Sequence, residues 1–251
     1  MTALAAFAPS GFTAESNDTR VYELRTYTTH PGRLDALLTR FRAHTTRLFE
    51  KHGMKNVGYW IPTDANNGAN HTLIYLLSYP SRDAAKAAWK AFNADPEWQR
   101  AKAASEADGK IVAKVESVFL TPTDYSPAIV DSAGARERVF ELRTYHTSPG
   151  NLVNLDARFR NHTRAFFTKY GMTNVAYFHP IDADKGAGQR LVYFLAHASR
   201  DAATASWDAF RADPAWIAAK AASEKAAGGS LTVPDGISSV FLKPADFSAI
   251  R

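Results

Sequence analysis

Two triplets of side chains could do chemistry in this chain: Glu23, Arg25 and Tyr27, and again Glu141, Arg143 and Tyr145. Each triplet occupies every second position of an alternating run, Val21 to Tyr27 and Val139 to Tyr145. Side chains repeat with period two along a strand, so each triplet shares one strand face. In such a group the arginine could hold a carboxylate, phosphate or enolate oxygen and the tyrosine could donate a hydrogen bond. The glutamate could move a proton or position the arginine. Alternation turns Tyr59 and Tyr75, with Tyr177 and Tyr193, to the same face. His179 and His197 join it in the second copy alone, where the first has Ile61 and Tyr79. A structural ion pair satisfied by tyrosine hydroxyls is the competing reading, because charge is rarely buried unpaired. No spacing here is diagnostic of a reaction, so these twelve residues are ligand-pocket candidates and no catalytic residue is assigned.

Other chemistry-bearing residues read as structural. His44 and His162 recur at the margin of an apolar helical stripe, where a hydrogen-bonded core histidine is commoner than a ligand. His30, His52, His71 and His146 have no counterpart histidine and are assigned to the surface. Trp89, Trp98, Trp207 and Trp216 have helical spacing and read as core. Asp95 and Asp213 read as helix caps before Pro96 and Pro214. The chain has no metal-binding histidine pair, nucleotide loop or nucleophile elbow, so neither metal nor cofactor is assigned.

The elements that position these residues occur twice. Arg20–Tyr27, Pro31-Gly32, Ser81–Ala85 and Asp95-Pro96 with Trp98 return as Arg138–Tyr145, Pro149-Gly150, Ser199–Ala203 and Asp213-Pro214 with Trp216. The register runs without a gap from Arg20 to Glu106 and slips only where the second copy gains an insertion around Gly228 to Gly236. One unit has been duplicated and fused. The pattern predicts a strand at Val21–Tyr27 and an amphipathic helix carrying Leu34, Leu37, Phe41, Thr45 and Leu48, closed by Gly53. Strands at 57–61 and 72–79 follow, then a helix at 82–94 capped by Ser81, a restart at Pro96 and a last strand at 111–120. The twin predicts the same order, with its final strand at 237–242. The order β-α-β-β-α-β is the ferredoxin-like unit. Residues 1–19 read as a disordered leader, 20–122 as the first repeat, 123–137 as a linker and 138–251 as the second repeat.

Composition limits the function classes. The chain has 251 residues, is 45% hydrophobic and carries a formal net charge of +5 without a basic run, which argues against nucleic-acid binding. With no cysteine it has no disulfide or thiol chemistry. No apolar run reaches the ~18 residues of a transmembrane helix. Ala3 to Ala8 imitates the end of an export signal but lacks a basic start, so the sequence does not separate a cytoplasmic protein from an exported one.

A ferredoxin-like sheet has helices on one face, and the other face needs a cover. Two fused copies supply it if their helix-free faces close into a barrel. The apolar Tyr22 and Leu24 are then expected toward the helices and the polar triplets inside the barrel. The run Val-Tyr-Glu-Leu-Arg-Thr-Tyr, Pro-Gly, Phe41 with His44, Gly53 and Phe92-x-x-Asp95-Pro96-x-Trp98 resembles the NIPSNAP family in both copies. The resemblance implies the dimeric α+β barrel superfamily, here closed within one chain, and no settled activity. It implies a small anionic or phenolic ligand, or a protein partner, held through the barrel. The alternative it implies is a cofactor-independent monooxygenase or isomerase, with Arg25 and Arg143 stabilising an oxyanion. A haem binder would use His44 or His162. The outer edges leave room for a larger homo-oligomer.

Overall fold

The structure is a computed structural model that describes residues 18–132, 134 and 137–251. The expected leader lies outside the described residues except for Asp18 and Thr19.

The first repeat runs β1 (Val21–Thr29), α1 (Leu34–Arg40), α2 (Thr46–Lys51), β2 (Lys55–Pro62), β3 (Thr72–Tyr79), α3 (Arg82–Ala94), α4 (Pro96–Ser105) and β4 (Val112–Pro122). The second runs β5 (Val139–Thr147), α5 (Leu152–Arg158), α6 (Arg164–Lys169), β6 (Thr173–Pro180), β7 (Arg190–His197), α7 (Arg200–Ala212), α8 (Pro214–Ala226) and β8 (Thr232–Pro244). The eight strands close one antiparallel barrel in the order β1-β3-β2-β8-β5-β7-β6-β4. Its interior is mostly apolar. Tyr22, Trp60, Ile74, Leu76 and Leu120 meet Phe140, Phe178, Phe194 and Leu242 from the other repeat. Two further cores lie between the sheet and the helices of each repeat.

Local chemistry explains the helix boundaries. The Ser81 and Ser199 hydroxyls accept from the N–H groups of Ala84 and Ala202, and Asp95 and Asp213 cap α4 and α8 through the N–H groups of Glu97 and Ala215. Pro31-Gly32 forms a turn ahead of α1, with Gly32 at φ +73°. The single first helix expected from the apolar stripe is interrupted in both repeats by a π-helical turn, Phe41–Thr45 and Phe159–Thr163. In each turn a threonine hydroxyl, Thr45 or Thr163, donates to the carbonyl five residues back, at Arg40 or Arg158. The insertion expected around Gly228 to Gly236 begins in the turn after α8 and runs into the start of β8. It is absorbed as a register shift opposite Tyr145–Thr147, with Asp235 at φ 53°.

The repeats exchange their ends. β4 pairs with β1 along its length and with β6 through Leu120–Pro122, while β8 pairs with β5 and reaches β2 through Leu242–Pro244. Beyond β4, the Ser126 hydroxyl accepts from the Tyr177 N–H of the second repeat; beyond β8, the Ser248 hydroxyl accepts from the Tyr59 N–H of the first.

Candidate functional site

Both triplets face the helices, not the barrel interior. The barrel expected from the sequence is present, but the side assigned to each strand face is reversed. Tyr22 points into the barrel core, while Tyr27, Tyr59, Tyr75 and Tyr79 belong to the helix-side core of the first repeat. The cause is partner supply. The interior is lined by apolar side chains, whereas the helix side offers donors for a carboxylate. Glu23, 1% exposed, accepts from four groups: Arg25 Nη1 at 2.5 Å, Ser117 Oγ at 2.6 Å, Tyr79 OH at 2.7 Å and Trp89 Nε1 at 2.8 Å. Glu141 repeats the arrangement with Arg143 at 2.5 Å, Ser239 at 2.6 Å, Trp207 Nε1 at 2.8 Å and, in place of the tyrosine, His197 Nε2 at 3.0 Å. Burial raises the Glu141 pKa, but His197, Arg143, Ser239 and Trp207 overcome it and bring it down to about 2.

Each arginine is fixed between its glutamate and a tryptophan. The Arg25 guanidinium carbon lies 4.2 Å from the Trp89 ring centroid, and that of Arg143 lies 4.3 Å from Trp207. The Nη2 nitrogen leans toward Tyr27 or Tyr145, at 3.5 and 3.4 Å. Burial alone would lower the Arg25 pKa, but Tyr75, Tyr27 and Glu23 hold it above the ordinary arginine value; Tyr193, Tyr145 and Glu141 do the same for Arg143.

A cavity opens over each guanidinium between sheet and helices. The first has a volume of about 390 Å3 and the second about 300 Å3. Arg25, Arg40, Phe41, Trp89 and Trp98 line the first; Arg143, Arg158, Phe159, Trp207 and Trp216 line the second. Arg40 is buried; it donates to Glu106 at 3.0 Å and its guanidinium lies 5.3 Å from the Trp98 ring. Arg158 donates to Glu224 at 3.4 Å, and burial lowers its pKa. Lys102 and Lys110 stand at the first mouth, Lys220 and Arg211 at the second.

A sequence model of the NIPSNAP family matches residues 22–127 and again 140–249. The chain belongs to the NIPSNAP family. It has an α+β fold with a closed eight-stranded antiparallel barrel and two NIPSNAP repeats. No curated protein matches it. Among solved structures it is similar to a putative monooxygenase from Lactobacillus acidophilus NCFM, at 13% identity and a TM-score of 0.54, covering 93% of this chain and 97% of that one. It is also similar to an anthrone oxidase-like protein, at 15% identity and a TM-score of 0.55, covering 93% and 94%. A NIPSNAP domain protein from Burkholderia xenovorans matches at 21% identity, covering 43% of this chain and 99% of that one, with a TM-score of 0.37. The first two likenesses show the fold.

Within this NIPSNAP chain the twelve sequence candidates separate into distinct places. Arg25, Tyr27, Arg143 and Tyr145 line the cavities. Glu23, Glu141 and His197 form the layer behind the arginines. The hydroxyls of Tyr75 and Tyr193 approach those of Tyr27 and Tyr145, and burial pushes both pKa values well up. Tyr59 and Tyr177 donate instead to Asn56 and Asn174 within the core. His179 is elsewhere: its Nε2 lies 3.0 Å from Asp156 Oδ1, which also accepts from Tyr125 OH at 2.6 Å.

Several assignments change. His44 is half-buried and His162 exposed, so neither is a core residue, and neither lines either of these two cavities. His52 is not a free surface group: its Nε2 lies 2.7 Å from Asp95, the position where Tyr170 OH contacts Asp213 in the twin. Lys51 and then His52 hold the Asp95 carboxyl well below the usual range. The four tryptophans read as core do belong to the helix-side cores, Trp207 and Trp216 as buried members and Trp89 and Trp98 packed against theirs, and they line the cavities as well. Arg40 and Arg158 were missed. Their signal was an arginine beside Phe41 and Phe159, within the apolar helical stripe, in both copies.

Proposed function

We propose that each NIPSNAP repeat binds one small aromatic anion between sheet and helices, rather than inside the barrel. The observation that carries this reading is the pairing of a half-buried with a buried arginine, Arg25 with Arg40 and Arg143 with Arg158, set in aromatic walls at the floor of a cavity large enough for a small ring compound. Guanidinium groups held by a carboxylate on one side present their remaining N–H groups to an oxyanion. In the first pocket the pairs Arg25–Glu23 and Arg40–Glu106 cancel, and Lys102 and Lys110 leave the site positive. We propose further that each repeat is a ferredoxin-like β-α-β-β-α-β unit and the chain an intrachain dimeric α+β barrel; the element order in both repeats supports this.

An enzyme is the second reading, favoured by an arginine and a tyrosine side by side where an enolate or phenolate oxygen would form, as oxyanion stabilisation requires. Cofactor-independent oxygenation or isomerisation also needs a proton acceptor. Glu23 and Glu141 already accept four hydrogen bonds each, which supports a role as arginine positioners rather than as bases.

The test is a titration with 2-naphthoate followed by tryptophan fluorescence. Quenching that saturates near two equivalents per chain, and falls to one in Arg25→Gln or Arg143→Gln, supports the reading. Unchanged fluorescence up to millimolar probe rejects it.

A further inference from the structure

The two pockets share their arginine–glutamate–tryptophan floor and differ in the fourth donor to the glutamate. Tyr79 OH fills that place in the first repeat and His197 Nε2 in the second. Tyrosine is a neutral donor throughout the physiological range, whereas histidine changes charge within it. His197 is 2% exposed, and its Nδ1 is buried with no hydrogen-bond partner among the described residues. Among the described residues the acid it hydrogen-bonds is Glu141. The charged groups facing this corner are Glu141 and Arg143 on β5, Glu137 and Arg138 just before β5, and Arg200 at the head of α7. Arg200 lies over the Phe241 ring that packs 6.1 Å from the imidazole.

The mouths differ in the same direction. At the second pocket Arg211 is paired with Asp208 at 2.8 Å, and Lys220 shares Glu224 with Arg158. No acid pairs with Lys102 or Lys110 among the described ion pairs of the first pocket. The second pocket therefore begins with less positive charge to offer an anion.

We propose that His197 is a positioning residue that makes anion capture by the second pocket proton-linked, while the first pocket is indifferent to the same change. This rests on the anion-binding reading above. When His197 is neutral, Glu141 and Arg143 cancel. When it takes a proton, it draws on the Glu141 carboxylate, loosens its hold on Arg143, and leaves the triad with one net positive charge. Both effects strengthen an anion at Arg143 as pH falls. A unit charge several ångströms away in a partly buried site alters affinity roughly three- to ten-fold.

The experiment follows the tryptophan indole N–H resonances of the full chain by NMR from pH 8 to 5.5, without and then with 2-naphthoate, which stays ionised throughout. Without probe, the Trp207 signal is expected to move with pH and the Trp89 signal to stay. His197→Tyr should freeze Trp207, His197→Gln should do so with an amide donor in place, and Tyr79→His should make Trp89 move. With probe, second-pocket affinity should rise three- to ten-fold toward pH 5.5 and first-pocket affinity should hold. A stationary Trp207, or equal affinities at the two pH values, overturns the proposal and leaves the binding reading standing. If 2-naphthoate moves no indole signal at any pH, the binding reading fails and this one fails with it.

Discussion

In the first repeat a neutral tyrosine, a half-buried tryptophan and two lysines surround the roomier cavity; in the second a histidine, a buried tryptophan and an internally paired arginine surround the tighter one. What stays constant is the glutamate with its arginine, serine and indole donors. What varies is the fourth donor and the mouth. The constant part is also the part that would be hardest to change. Burying a carboxylate is tolerable only with every oxygen satisfied, and removing it would leave a guanidinium and an indole N–H without their acceptor. The variable part can drift without threatening the fold. A duplicated chain can therefore keep one arginine-presenting floor and place two different sites on it.

Variants at the shared floor should have the largest effect. Glu23→Ala and Glu141→Ala should each cost about 3–5 kcal/mol, the range for breaking a buried ion pair from one side. Thermal or denaturant unfolding checks this, and a loss below about 1 kcal/mol in either repeat would break the equivalence. Acid unfolding sharpens the same point. The Glu141 carboxyl is held at about 2, below its unfolded value, so its contribution is complete above roughly pH 4.5 and fades as pH falls toward about 2. About 3 kcal/mol of stability should disappear across that window in the parent and not in Glu141→Gln, as read from urea midpoints at successive pH values.

A smaller effect belongs to an asymmetry outside the pockets. Tyr125, Asp156 and His179 form a polar cluster where the first repeat has Phe247, Leu38 and Ile61. Asp156→Leu alone should cost about 1–2 kcal/mol because the buried Tyr125 hydroxyl loses its acceptor. Adding Tyr125→Phe and His179→Ile should recover most of that loss. A triple variant no more stable than the single would show that the cluster is not one unit. The smallest effect is expected at the mouth. Lys102→Ala should weaken 2-naphthoate at the first pocket about two-fold, with an unchanged melting temperature, because an exposed charge contributes little.

The repeats, the strand and helix order, the serine and aspartate caps and the shared face of each triplet were all legible in the sequence, because each follows from local periodicity or capping chemistry. Which side of the sheet the triplet faced was not. The strands are covered on both sides, and β3 is buried at every position from Thr72 to Tyr79, so alternation separates two faces without saying which one meets the helices. The deciding partners, Trp89 and Ser117, come from a helix and a strand far along the chain. The π-helical turn left no periodic mark beyond an arginine among apolar neighbours. Arg40 and Arg158 became readable as site residues only once α4 and α8 had brought Glu106 and Glu224 to them.

The mutual exchange of strand ends has a mechanical consequence. Because Ser126 is pinned beneath Tyr177 and Ser248 beneath Tyr59, each half completes the other's wall. A protease cut anywhere in the connecting stretch should not release two free halves. The nicked product should elute as one particle and come apart only on denaturation, like a clasp whose two hooks remain engaged after the cord between them is severed.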